Sequence, residues 1–273
     1  MKVWHRVTFN KNDAVDAQIE ALGIKYKKTP GFEGYYLLTF EIDESDPRWP
    51  QVAELMQEKG RRSLVNTVFS EEEILSAEWA RLIPVFEKGY PQPEETWVTN
   101  PINYEEHCPQ CGTFRQKASF RLKKEPNLGK NDFMSLYWTY ALFCTPQVLS
   151  ELEAYEIQGY GVWDAVIHKT NSPSKKVSQL FIPHIASTGL VRVGGLKRET
   201  CPLCHVTKYY PHMRGVMYLK GDALVPDVDI MQTHEWFGSG HAAYREILVS
   251  NKLVRLIIDK DWKGVALKVV ELV

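Results

Sequence analysis

No stretch of the sequence approaches the ~20 apolar residues that a membrane-spanning helix requires, so the chain reads as water-soluble. The opening MKVWHRVTFNKND has neither the apolar core nor the small-residue cleavage site of a secretory signal, which predicts a cytoplasmic location. Surplus charge is also missing. With 33 Lys and Arg against 34 Asp and Glu, the formal net charge is −1, and the strongly basic balance of a general nucleic-acid binder is absent. Catalytic motifs are equally scarce. No Gly-x-Ser-x-Gly nucleophile elbow occurs, and GSG at 238–240 lacks the Lys-Ser/Thr of a phosphate loop. His234, Glu235 and His241 in HEWFGSGH miss the four-residue histidine spacing of a zinc-protease helix, and two glycines make the segment a loop. The chain is therefore expected not to be an enzyme. Cysteine is sparse, at five residues, but four of the five fall in two Cys-x-x-Cys pairs. In a reducing compartment such pairs point to metal or redox chemistry rather than to a disulfide frame.

What is present divides along the chain. KVWHRVTF reads as a strand, and NDAVDAQIEALG as a helix capped by Asn12 or Asp13 and stopped by Gly23. GIKYKK and GYYLLTFEI read as two strands joined by the turn TPGFEG, DPRWPQVAELMQEKG as a second helix closed by Gly60, and RSLVNTVF as a fourth strand. The order βαββαβ predicts a ferredoxin-like α+β unit over residues 1–70. That fold hosts many unrelated activities and raises no function by itself. Its turn EIDESD, residues 41–46, carries Asp43, Glu44 and Asp46 with no basic residue among them. These three are the candidate contact for a basic partner surface, and the competing reading is a solvated turn between strand and helix.

Residues 71–100 read as a helix and a Pro-rich linker. Ser70 and Glu73 fit a capping box, Ile74, Ala77, Leu82 and Val85 give an apolar stripe, and YPQPEE ends the segment.

Beyond the linker the sequence repeats. HCPQCG lies 93 positions before TCPLCH (201 − 108), Asp132 lies 97 before Asp229 (229 − 132), and Gly159 lies 105 before Gly264 (264 − 159). Two similar α+β units, 101–190 and 191–273, follow, and each contributes one cysteine pair. In CPQCG the proline favours a tight turn, and the glycine lets backbone N–H groups approach the sulfurs. Two such knuckles supply the four soft ligands of a tetrahedral site, so Cys108, Cys111, Cys201 and Cys204 are the predicted ligands of a zinc-ribbon-like four-cysteine centre. Iron in a rubredoxin-like site uses the same turns, and His107 or His205, each beside a cysteine, could replace a ligand. A thioredoxin-like redox pair needs its cysteines at a helix N-terminus, and neither pair precedes a helical pattern. Cys144, in ALFCTPQ, reads as a small core residue. KYYPHMRG, 208–215, mixes aromatics with basic residues and could stack nucleic-acid bases, or form a half-buried strand near the metal. The eight tryptophans, Trp138, Trp163, Trp236 and Trp262 among them, read as core.

CPQCG and CPLCH, with SEEEILSAEWARLIP and the ending ILVSNKLVRLIIDKDWKGVALKVVELV, resemble the bacterial double-CxxCG motif proteins, known best from myxobacteria. The ending also looks like the C-terminus of another polymorphic-toxin immunity family, a serine-led helix followed by glycine and a last strand. The resemblance spans roughly residues 65–273, and departs at His205, where the second motif should carry glycine. It implies an immunity protein that binds and neutralises a cognate protein toxin without chemistry of its own. A zinc-ribbon nucleic-acid binder is the alternative, and the near-neutral charge favours the first.

Overall fold

Alternation in KVWHRVTFN turns His5, Val7 and Phe9 to one buried face of strand β1 (Lys2–Asn10), the first strand of the computed structural model, which describes residues 1–97 and 102–273. The fold is mixed α+β, with more sheet than helix, and the chain divides into two units. One is Met1–Ser70 with Met213–Gly215; the other is Glu71–His212 with Val216–Val273. No helix among the described residues is long and apolar enough to cross a membrane.

In the first unit β1 is followed by α1 (Asp16–Ala21), β2 (Lys27–Pro30), β3 (Tyr36–Asp43), α2 (Trp49–Glu58) and β4 (Leu64–Val68). The strands lie in the order β2-β3-β1-β4, every pairing antiparallel. Val7, Phe9, Leu38 and Phe40 of the sheet bury against Ile19 of α1 and Val52 of α2. The predicted cap is displaced. Asn10, rather than Asn12 or Asp13, starts the turn: its side chain accepts the Asn12 N–H, and Asp13 takes the Asn10 N–H at 2.7 Å. Asp13 is also held by the Arg61 guanidinium at 2.7 and 2.9 Å, so a short 3-10 turn forms at Lys11–Asp13 and α1 begins only at Asp16. Residues 213–215 are tied into this unit by Thr67, whose hydroxyl donates to the Met213 carbonyl and accepts the Gly215 N–H.

The second unit opens with α3 (Glu71–Ser76) and β5 (Trp79–Pro84), then β6 (Tyr104–His107), β7 (Phe114–Gln116), β8 (Phe133–Met134), β9 (Leu142–Cys144), α4 (Pro146–Ala154), β10 (Gly161–Ile167) and β11 (Ser172–Phe181). It continues with β12 (Leu190–Val191), β13 (Arg198–Thr200), β14 (Thr207–Tyr209), β15 (Met217–Leu219), β16 (Ile230–Gln232), β17 (Trp236–Phe237), β18 (Ile247–Ser250), α5 (Asn251–Asp259) and β19 (Val265–Leu272). Its main sheets run β10-β11-β9-β8 and β12-β15-β19-β5-β18-β16, with smaller ones β13-β14-β17 and β6-β7.

Residues 77–85 depart from the expected helix. α3 stops at Ser76, and WARLIP is a strand at the middle of the six-stranded sheet, paired with β19 on one side and β18 on the other. Ala80, Arg81 and Leu82 are buried in succession, and a short run buried on both faces carries no period that separates strand from helix. Arg81 survives there because Glu246 pairs with it at 2.8 Å.

The two sheets share a local plan. β10-β11-β9-β8 matches β19-β5-β18-β16 position by position, all pairs antiparallel. Phe133 pairs with Cys144 as Ile230 pairs with Val249, at offsets of 97 (230 − 133) and 105 (249 − 144). Thr145 and Ser250 cap the two helices, and their N–H groups donate to the carbonyls of Asp132 and Asp229. Each aspartate then reaches the other segment. The Asp132 carboxylate accepts the Lys263 N–H at 2.8 Å and the Asp229 carboxylate the Gln158 N–H at 2.9 Å. One strand breaks the chain order: β11 follows β10, whereas β5, in the matching place, precedes both segments.

Candidate metal centre

Each cysteine pair sits on a turn between two antiparallel strands. β6 runs into Cys108, whose N–H donates to the Thr113 carbonyl at 2.9 Å, while the Gly112 N–H donates back to the Cys108 carbonyl at 2.9 Å. The second turn, between β13 and β14, repeats both bonds: Cys201 N–H to Val206 carbonyl and His205 N–H to Cys201 carbonyl, each 3.0 Å. Gly112 and His205 occupy the same left-handed conformation, φ +73° and +59°. The departure at His205 therefore leaves the knuckle intact, at a local cost of about 1–2 kcal/mol for an L-residue there, and the His205 ring is turned to solvent.

The four sulfurs converge. All lie within 4.8 Å of one another, Cys108 to Cys201 at 3.9 Å and Cys111 to Cys204 at 3.4 Å. A tetrahedron with metal–sulfur bonds of ~2.3 Å has edges of about 3.8 Å, close enough to these separations that the group could hold a metal ion. Backbone N–H groups of Cys111 and Gln110 point at the Cys108 sulfur and hold its thiol below the ordinary range, against its partial burial. Burial pushes the Cys204 thiol up to about 11, and a cation bound there would displace that proton. Cys111 and Cys201 are buried, and Thr113 sets its hydroxyl 3.2 Å from the Cys111 sulfur.

Lys208, on β14, is not legible in the sequence as part of this centre. Its side chain is buried, its ammonium donates to the Cys111 carbonyl at 2.7 Å, and it forms no ion pair with a carboxylate among the described residues. A buried ammonium needs compensating negative charge, which the four-cysteine group would supply if its sulfurs were deprotonated by a bound metal. This fits a tetrathiolate site, whose net charge with a divalent ion is negative. Thr113 just precedes β7 and Lys208 lies in β14, each leaving a knuckle, and position beside a knuckle is the only sequence signal either offers.

The other predicted residues fall elsewhere. The side chains of His107 and His241 lie outside the described residues. Both cysteine pairs are followed by strands, so no helix N-terminus lowers a thiol in the manner of a redox pair. Cys144 is fully buried in the core beside Phe133 and Val148, where burial drives its thiol far up. Glu235 is buried and accepts the N–H groups of Gly189 and Leu190 at 2.9 and 2.8 Å, a structural task. Of the tryptophans, Trp236 and Trp262 are core, Trp163 is half-buried and Trp138 is 64% exposed. In the acidic turn Asp43 accepts the Ser45 N–H and hydroxyl, Asp46 is held by the Arg48 guanidinium at 2.6 Å, and Glu44 takes His5 at 2.9 Å and the fork of Arg214. No family model matches the chain, and no curated protein sequence matches it.

Proposed function

We propose that the chain is a non-enzymatic immunity protein that binds and neutralises a cognate protein toxin, and that Cys108, Cys111, Cys201 and Cys204 hold a structural zinc ion. The carrying observation is the donor set. Four thiolates complete a tetrahedron and leave no place for water or substrate, which is the composition of a site that holds structure. Zinc in such a site would contribute binding energy to folding and would link residues 93 positions apart. Two further readings have support in the topology. The order β2-β3-β1-β4 is the one a ferredoxin-like βαββαβ unit takes, and the matched sheets and knuckles favour a duplication of the α+β segment. The competing nucleic-acid reading draws on residues 208–215. Tyr210, Pro211, Met213 and Arg214 of that segment are exposed, but Lys208 is buried against the Cys111 carbonyl and Arg214 is engaged by Glu44, so neither cation is left free to meet a phosphate. Asp46 and Glu44 already carry guanidinium partners, which makes the acidic turn a weak first contact.

Co-expression tests the reading. Cells expressing the toxic domain encoded beside this gene should survive when the chain is present, and the purified chain should carry about one zinc by elemental analysis. Survival that never depends on the chain would defeat the immunity reading; iron with a rubredoxin-like visible spectrum would defeat the zinc assignment.

A further inference from the structure

Beside the cysteine knuckles the second unit opens a cleft of about 950 Å³, at the upper end of ligand-site volumes. One wall is β7 with Lys117; all three residues of that strand line the cleft. In its two-stranded sheet β7 pairs with β6, so its second edge is a short template for an added strand. Much of the remaining lining is apolar. Trp163 stacks on Phe181 with centroids 4.3 Å apart and planes within 17°, both rings half-buried, and the exposed side chains of Leu203 and Ile185 flank the mouth.

The charges of the lining are unbalanced. It contains three cations, Arg115, Lys117 and Arg245, against the single carboxylate of Glu105, which is already paired with Arg115. Lys117 and Arg245 form no ion pair among the described residues. Arg245 lies over the Trp236 ring at 4.7 Å, and one nitrogen is used on the carbonyls of Thr233 and His234. Burial lowers its pKa to about 10, the mark of a cation partly stripped of water. Two unpaired cations beside an aromatic wall suit one or two carboxylates flanked by apolar side chains. They fit poorly to a nucleic-acid strand, which brings one phosphate per nucleotide.

We infer that this cleft receives an extended segment of a partner protein, its main chain added to the free edge of β7, an apolar side chain set against Trp163 and Phe181, and an acidic side chain directed at Lys117 and Arg245. The inference rests on the toxin-binding reading to the extent that the toxin supplies the segment. A library of random dodecapeptides displayed on phage, panned against the full zinc-loaded chain, tests it directly. Recovered peptides should combine acidic and apolar residues and be poor in Lys and Arg. A synthetic peptide from that pool should lose about tenfold or more in affinity for Lys117→Glu, an exposed site whose exchange leaves zinc content and melting temperature unchanged, and for Trp163→Ala. No enrichment, enrichment of basic peptides, or equal binding to both variants overturns the inference. So does tighter, variant-sensitive binding of dodecathymidylate, which would assign the cleft to single-stranded nucleic acid. Capture of the neighbouring toxin domain separates the two ideas. If both variants capture it as well as the parent, the cleft is wrong and the toxin reading stands; if acidic peptides are selected but no toxin is captured, the toxin reading fails and the cleft stands.

Discussion

Lys208 shows how one residue can reveal the charge state of its neighbours. Placing an ammonium in a protein interior is costly unless an opposite charge lies near, and the ammonium of Lys208 bonds to the carbonyl of Cys111, one of the four clustered cysteines. Lys208→Gln keeps a hydrogen-bond donor of similar length but leaves the tetrathiolate charge uncompensated. Its zinc should pass to a competing chelator at about 10-fold lower chelator concentration than in the parent chain, the lower end of what partners around a metal ligand contribute. Chelator titration with a coloured indicator reads this; an unchanged titration would show that the lysine serves only the turn. The ligands themselves are legible because a knuckle is a local device, with proline, spacing and a left-handed residue all within five positions. Lys208 is not, since its partner lies 97 positions away and a lysine in sequence defaults to solvent.

At the scale of elements, the two helices and their strands form one arrangement used twice, and the glycines after the helices show why the pattern is strict. Gly159 and Gly264 hold φ of +103° and +96°, and a Cβ on either would run into the backbone carbonyl of Ile230 or of Phe133. Those carbonyls belong to β16 and β8, so each glycine admits a strand of the other segment. Gly159→Ala and Gly264→Ala should therefore both be destabilising, each by at least about 1–3 kcal/mol from backbone strain alone. Calorimetry of the full chain should show the two depressions in melting temperature to be similar; a neutral Gly159→Ala beside a damaging Gly264→Ala would break the equivalence of the segments. The offsets between matching residues are readable in sequence because aspartate, helix cap and glycine recur in order. The partner strands are not. β11 and β5 hold the same place but stand on opposite sides of the repeat in the chain, and no self-alignment of the sequence can pair them. For that reason a strand of the shared plan reads, in sequence, as part of a helix and linker after residue 70.

For the molecule as a whole, the distribution of the five cysteines predicts which loss the fold tolerates. Cys144 is surrounded by carbon and occupies the position taken by Val249 in the matching segment, so Cys144→Ser exchanges a weakly polar atom for a hydroxyl in an apolar core, at about 1–3 kcal/mol. Cys108 contributes differently. Its sulfur meets Cys201 across 93 positions of sequence, and a metal bound there ties together turns that no shared sheet connects, since β6-β7 and β13-β14-β17 are separate sheets. Removing one ligand weakens binding that is also folding energy, so Cys108→Ser should lower stability by several kcal/mol in zinc and lose its response to chelator. The parent and Cys144→Ser should both keep that response, their melting temperatures falling when zinc is withdrawn and recovering when it is restored. Scanning calorimetry of the three proteins with and without chelator distinguishes the roles. A Cys144→Ser chain that no longer binds zinc, alongside a Cys108→Ser chain that still does, would reverse the assignment of ligand and core.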